Sequence, residues 1–387
     1  MMSQIKIETL TPVHIGNGNF LRNKADFTVF REDGNSVIGI VDPRKILNII
    51  GEEHLEDWIL SIENPEDDIR SFIRRNSIDK TVMPRTYSRR VIMNFTENIR
   101  DADTLKECIH DGRGLPYIPG SSIKGAIRTA IVSSLAKGKD SADLERRIKR
   151  GKNGQIDKRF AAQQIENDFF GNQQIEKDDP KKDIFRFLQM GDAYFEKETE
   201  IVTRMVNLNI TSRKKLVDTS KPQLIEAIGA DSKSAFQMKI AKDYYQWVKE
   251  NGWPLKDFPE SMDALSSLFQ LINAHTNELI LDEIKYWKTV NEDHEGADDY
   301  IDSLRMILGN IKKCQQGKEC VLRIGHGSGW RFITGAWSER LDKFEEEIVP
   351  VARPNNYRYQ EYVFPKSRRL DEDGDILGFV KLSIDKE

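Results

Sequence analysis

Residues 117–131 read YIPGSSIKGAIRTAI: a proline-glycine turn and two serines at the mouth of an apolar run that also carries Lys124 and Arg128. The Gly120 to Gly125 spacing invites comparison with a nucleotide-binding loop of the form G-x-x-x-x-G-K-[ST]. Ala126 and Ile127 stand where that loop needs its lysine and its hydroxyl, so an NTPase reading fails. Ile123, Ala126, Ile127, Ala130, Ile131 and Leu135 recur at helical spacing, which predicts a helix with one buried stripe. Ser121 or Ser122 is the expected N-cap and Gly138 the expected stop. The free N–H groups of the first turn, the helix dipole, the serines and the outward pair Lys124 and Arg128 then form a seat for an external anion. Gly125 leaves room for another backbone to come close. The competing reading is an amphipathic helix whose polar face is merely solvated.

At 387 residues the chain is long enough for two domains of ordinary size, and 38% hydrophobic with 32% charged residues marks a polar but folded protein. The formal net charge of -4 means that contact with nucleic acid has to come from local basic patches. Three cysteines (Cys108, Cys314 and Cys320) cannot build a disulfide framework. No apolar run is long enough for a membrane span, and MMSQIKIETL alternates as a strand rather than forming a signal core. A cytoplasmic location is expected.

Along the chain, residues 5–13 read as an opening strand that breaks at 14–18, and Asp26 to Val41 as a hairpin turning at Asp33-Gly34-Asn35. Asp42-Pro43 opens a helix through Ile50. The charge-dense stretch ERRIKRGKNGQIDKRF and the segment from Glu176 to Asp183 show no apolar period, which predicts a mobile excursion. Leu224 to Ile240 reads as a second hairpin, followed by helices at about 258–275, 276–291 and 296–316, a glycine-rich loop within 321–337, a short helix at 339–348 and a closing strand at 378–384. Strand, helices, glycine loop and strand thus occur twice, which predicts an α+β protein of two related halves.

Three distant segments belong together: TPVHIGNG (11–18), YIPGSSIKGAIRTA (117–130) and LRIGHGSGWRF (322–332). With FPKSRRL (364–370) and the closing GFVKLSI, they resemble the RAMP superfamily of CRISPR proteins. More narrowly, they resemble the large RAMP subunit that caps the guide-RNA (crRNA) 3′ end in type III-A (Csm) effector complexes. The resemblance implies tandem ferredoxin-like (RRM-related) RAMP domains with helical insertions. The halves would be residues 1–215, with insertions at about 51–110 and 139–183, and 216–387, with a helical insertion at about 255–316. It implies crRNA and target RNA as partners, along with the repeated backbone RAMP subunit and the small helical subunit of the complex. It also implies maturation of the guide by recruited cellular nucleases, with no cofactor and no catalysis in this subunit.

On that reading the RNA-binding residues are Ser121, Ser122, Lys124, Arg128, Gly325, His326, Gly327, Gly329, Arg331, Lys366, Arg368 and Arg369. Arg89 and Arg90 are a weaker case of the same kind. Glycines would let the RNA backbone reach main-chain N–H groups, although turns use glycine for the same freedom. Trp330 and Trp337 are expected in the core. His14, beside Gly16, is a candidate general base, set against a neutral histidine buried at a strand end. Asp26 is the candidate acid of a metal-dependent RNase of the backbone type, and a scaffold subunit of a related type III-B complex is the third alternative. Cys108, His110, Cys314 and Cys320 match no common zinc spacing, so no metal site is expected.

Overall fold

The computed structural model describes residues 2–64, 67–77, 79–157, 161–171, 183–209, 217–290, 297–352, 364–365 and 367–386. Strand β1 (Ser3–Thr9) alternates, with Ile5 and Ile7 fully buried. β2 (Gly16–Arg22) starts within the expected break, so the interruption shrinks to a turn around His14 and the glycines themselves enter a strand. β3 (Phe27–Glu32) and β4 (Asn35–Val41) form the expected hairpin, and Asp33 and Gly34 both take the positive φ (49° and 82°) that a tight hairpin turn needs. In α1 (Pro43–Ile50) the Asp42 side chain accepts from the Arg44 N–H and Pro43 lies in the first turn. α2 (Leu55–Glu63), α3 (Ile69–Asn76) and α4 (Pro84–Tyr87) close over a small core of Trp58, Phe72 and Tyr87.

β5 (Ser88–Asn94), β6 (Thr104–Cys108) and β7 (Tyr117–Ile118) lead into α5 (Gly120–Lys137), the predicted helix. Ile123, Ile127, Ala130 and Ile131 are fully buried on one stripe, where each isoleucine contributes about 1.5–3 kcal/mol. The charge-dense stretch is not a mobile excursion where it is described. α6 (Ser141–Arg146) and α7 (Gln163–Phe170) bury Leu144, Ile165 and Phe170, and Ile148 joins the same core. Isolated apolar residues anchor this region, so no period was there to be read. Residues 176–182 lie outside the described residues.

β8 (Leu188–Met190), β9 (Ala193–Tyr194), β10 (Glu200–Asn209), β11 (Val217–Ile228) and β12 (Lys233–Ile240) follow. β11 and β12 do not form a hairpin. After the turn Thr9 receives the Ser232 N–H on its hydroxyl, and β12 pairs along β1 instead. α8 (Lys242–Glu250) precedes α9 (Leu265–Val290), a single helix where two were expected. Nothing breaks it at His275-Thr276, and the Thr276 hydroxyl donates to the Val321 carbonyl (2.8 Å) of β13 (Glu319–Arg323). α10 (Ala297–Lys313) precedes β13 in sequence. After 3₁₀ turns at Trp330–Phe332 and Thr334–Arg340 and a π-helical turn at Phe344–Ile348, where a short helix was expected, come α11 (Val349–Ala352), β14 (Ser367–Asp371) and β15 (Phe379–Lys386).

Two large sheets result, in an α+β arrangement. The five-stranded sheet runs β13-β15-β1-β12-β8, with β1 antiparallel to both of its neighbours. The eight-stranded sheet runs β2-β6-β11-β10-β5-β4-β3, and β14 pairs with the far half of β10. Strands from either side of residue 215 share both sheets. α5 and α9 pack in one core with the five-stranded sheet, and α9 with α10 encloses a second core around Trp287 and Tyr300. No described helix is long and apolar enough to cross a membrane.

Candidate nucleic-acid interface

The mouth of α5 differs from the expectation in its capping. Pro119 is the N-cap, and neither Ser121 nor Ser122 bonds as a cap. The carboxylate comes from elsewhere: Asp192 Oδ1 accepts the Gly120 N–H at 2.8 Å. A Cβ on Gly120 would lie 2.6 Å from the Gly191 carbonyl oxygen, so the Gly191-Asp192 turn sits directly on the helix start. The seat for an anion is therefore partly filled by the protein's own acid. Arg128 is likewise engaged rather than outward and free. Glu166 accepts from its Nη2 (2.9 Å) and Asp183 from its Nη1 (3.0 Å), while its guanidinium lies 4.3 Å from the centre of the Phe170 ring. Lys124 is half-buried against Phe185; burial lowers its ammonium pKa, opposed by Asp183. The internal acids remove the Lys124–Arg128 repulsion that an external anion was expected to remove. What remains open is Ser121, exposed, and Gly125, whose missing side chain would meet nothing within 4 Å.

The other motifs converge. The His326 N–H donates to the His14 carbonyl (2.9 Å), and a Cβ on Gly325 would lie 2.6 Å from that same oxygen. Gly378 donates its N–H to Pro12 (2.9 Å) and accepts from the Ile324 N–H (2.8 Å). Gly327 rests against Arg369 Cβ, where an added methyl would sit at 3.4 Å. Gly325, Gly327 and Gly329 have φ of +82°, +92° and +81°, a backbone that L side chains rarely adopt. Segments 12–18, 324–329 and 369–378 thus form one surface at the junction of the two large sheets.

A cavity of about 400 Å³ opens in this surface, walled by His14, Gly16, Phe20, Lys106, Glu107 and His326. Phe20 faces Lys106 across the β2–β6 pair and is 54% exposed, with the ammonium 5.4 Å from its ring centre. Lys106 Nζ lies 3.4 Å from His326 Nε2, and Arg369 stands near enough to lower the pKa of both, after burial has done so. Among the described residues no carboxylate pairs with Lys106 or Arg369. Glu107 is spent: its Oε1 accepts from Arg89 and Arg90, and its Oε2 from Asn17 and Asn19. Sequence reasoning missed Lys106 and Phe20 because each is a single residue on a strand with no motif around it.

His14 is buried, as the competing reading had it. Its Nδ1 lies 2.6 Å from the Glu226 carbonyl oxygen, which can only accept, so Nδ1 carries the proton. Burial lowers its pKa to about 4, so the ring is neutral and Nε2 is a bare acceptor. Asp26 serves structure: its Oδ2 accepts from the Arg22 N–H (2.8 Å) at the entry to β3.

Two basic residues expected at RNA are engaged in internal ion pairs. Arg368 is 6% exposed and bonded through Nε and Nη2 to Glu283, which also accepts from Arg331 Nη1 (2.9 Å), Trp287 Nε1 (2.9 Å) and the Tyr300 hydroxyl (2.9 Å). Burial would raise the Glu283 carboxyl, but these partners, Arg368 above all, hold it down at about 2. Arg331 bonds in addition to Glu339 (3.2 Å). Lys366 lies outside the described residues. Arg90 joins a similar group, with Glu107, Glu200 and Glu226 around its guanidinium at 3.0, 2.7 and 3.0 Å. Among the described residues Glu107, His110 and Glu226 alone are gathered closely enough to hold a metal, and Arg90 already supplies positive charge to both carboxylates. Cys108 is buried beside His14, Cys320 is buried and Cys314 is partly so; none of the three joins that group. Trp337 is 5% exposed, in the core as expected, and Trp330 packs edge-on to Phe364.

The sequence profile of the RAMP superfamily matches residues 6–332. The "CRISPR system Cms protein Csm5" of Enterococcus italicus is 33% identical over 151 residues, spanning 33% of this chain and 42% of that protein's own length. A chain of the "Csm-crRNA-target RNA ternary complex in type III-A CRISPR-Cas system" has a similar fold, with a TM-score of 0.65 at 20% identity over 99% of this chain and 100% of that one. The crystal structure of Csm5 from T. onnurineus gives 0.61 at 20% identity over 97% and 99% of the two chains. At that identity the likeness to the two structures is one of fold.

Proposed function

The chain belongs to the RAMP superfamily, and on that premise we propose that it binds crRNA as a subunit of a type III-A CRISPR (Csm) effector complex, capping the guide 3′ end without cutting RNA itself. The observation that carries this reading is the surface at the sheet junction. There TPVHIGNG and LRIGHGSGWRF are joined by main-chain hydrogen bonds beside Lys106 and Arg369, two cations with no acid partner among the described residues. Uncompensated cations beside glycine-bared backbone suit phosphate and shape contacts rather than base-edge readout. A Csm5 relative by sequence and a fold neighbour from a Csm–crRNA–target RNA complex support the assignment to that assembly, with crRNA, target RNA and the other Csm subunits as partners. The backbone RAMP subunit, the small helical subunit and cellular trimming nucleases are the partners proposed in detail, in the cytoplasm.

The non-catalytic reading is supported by the two catalytic candidates. Burial lowers the His14 pKa to about 4, which makes its Nε2 a weak base that can accept a hydrogen bond but is poorly suited to take a proton, and Asp26 is engaged by Arg22 at a turn. The RNA-facing set is accordingly Lys106, Ser121, Gly125, His326, Arg369 and the glycines of 325–329, with Lys124 at the margin. Co-expression with the other Csm subunits and guide, followed by native mass spectrometry and RNA–peptide cross-linking, tests the proposal. One copy per complex and cross-links in 12–20 and 325–329 are expected. Several copies per complex, or magnesium-dependent cleavage of matched target RNA abolished by Asp26→Ala, would overturn it.

A further inference from the structure

The cavity at the sheet junction has a chemistry more specific than positive charge. On its wall lies His14 Nε2, an acceptor with no hydrogen-bond partner among the described residues. The main-chain carbonyl of Glu226 fixes the tautomer, so Nε2 can only receive a proton donor. A Cβ on Gly16 would lie 2.9 Å from that nitrogen, so glycine is what keeps it accessible. Lys106 and His326 stand on the wall, Arg369 stands beside them, and the exposed Phe20 ring offers a flat apolar face. A donor hydroxyl, an anionic group and an aromatic ring, all within about 400 Å³, describe one ribonucleotide.

We propose that this cavity seats a single nucleotide of an RNA strand, its 2′-hydroxyl donating to His14 Nε2, its phosphate against Lys106 and Arg369, and its base on Phe20. This rests on the RNA-binding reading above and adds to it discrimination of ribose from deoxyribose. DNA offers no hydroxyl to that nitrogen, so it loses this one hydrogen bond.

The test is fluorescence anisotropy of the full chain with a fluorescein-labelled ten-nucleotide oligoadenylate and its DNA counterpart at fixed salt, after thermal melts confirm that each variant is folded. RNA is expected to bind roughly three- to tenfold more tightly than DNA, the worth of one hydrogen bond. Gly16→Ala, whose methyl covers Nε2 without removing the histidine, abolishes that preference. Lys106→Ala and Phe20→Ala weaken both strands equally. Equal binding of RNA and DNA by the natural chain, or a preference that survives Gly16→Ala, overturns the proposal while RNA binding stands. Absence of binding to either strand overturns the RNA-binding reading itself.

Discussion

The main-chain N–H of His326 donates to the carbonyl of His14 at 2.9 Å, joining two segments more than three hundred residues apart. Gly325 makes that approach possible, with φ +82° and only 2.6 Å between the same carbonyl and any added methyl. Gly325→Ala is therefore expected to cost about 2 kcal/mol or more, from backbone strain and displacement of the loop. Urea unfolding measures it. Gly112→Ala, at a glycine with open surroundings, serves as a control expected to move the midpoint little.

Gly125 is exposed inside α5, and an added methyl would meet nothing. Gly125→Ala should stabilise the free chain by up to about 1 kcal/mol through helix propensity. If RNA backbone crosses this face, the same variant loses guide in a pull-down of the assembled complex. A more stable chain with full guide retention would remove the helix from the interface. Arg128→Ala should instead destabilise the fold by about 2 kcal/mol, because Glu166 and Asp183 lose their cation. Loss of guide in an Arg128 variant is thus informative only beside its melting curve.

Burial, opposed by Arg90 and aided by Glu200, raises the Glu226 carboxyl to about 8. The unfolded chain releases this proton near pH 4.3, whereas the fold keeps it, so Glu226 makes stability fall as pH rises from about 4.3 to 8. The slope approaches about 1.4 kcal/mol per pH unit at most. Glu226→Gln cannot titrate, and its urea midpoint should be flatter than that of the natural chain across pH 5 to 8. The lowered pKa of His14 acts oppositely but is common to both proteins. Parallel profiles would contradict the assignment.

Glu283 is the shared acceptor for Arg368 and Arg331 in the second core. Replacing it by Gln leaves Arg368 buried without a counter-charge and should cost about 3–5 kcal/mol. Arg331→Ala should cost nearer 1 kcal/mol, since Arg331 is less buried and Glu283 keeps Arg368. Denaturant titrations of the two variants compare these values directly.

Much of this could be read from residues alone where the cause is local. The β3–β4 hairpin follows from Asp33-Gly34, α1 from Asp42-Pro43, and the stripe of α5 from its isoleucine and alanine spacing. The glycine motifs pointed to one another because closely approaching backbones leave glycine behind as their trace. The state of the charges was not legible. Arg128 meets Glu166 and Asp183, 38 and 55 residues away, and Arg368 meets Glu283 at 85 residues, distances at which only the fold decides whether an arginine is free. Lys106 and Phe20 face one another through strand register, which no short pattern records. The parting of β11 from β12 was hidden for a similar reason: the competing partner, β1, lies at the other end of the chain.

That placement of β1 has a consequence for synthesis. Ser3–Thr9 is made long before its two neighbours, β12 and β15, the latter spanning residues 379–386. Until the latter leaves the ribosome, one margin of β1 stays bare, a sticky template for any passing extended polypeptide. Completion of the five-stranded sheet thereby waits on residues 379–386, and a nascent chain stalled before residue 379 should depend on chaperones to stay in solution.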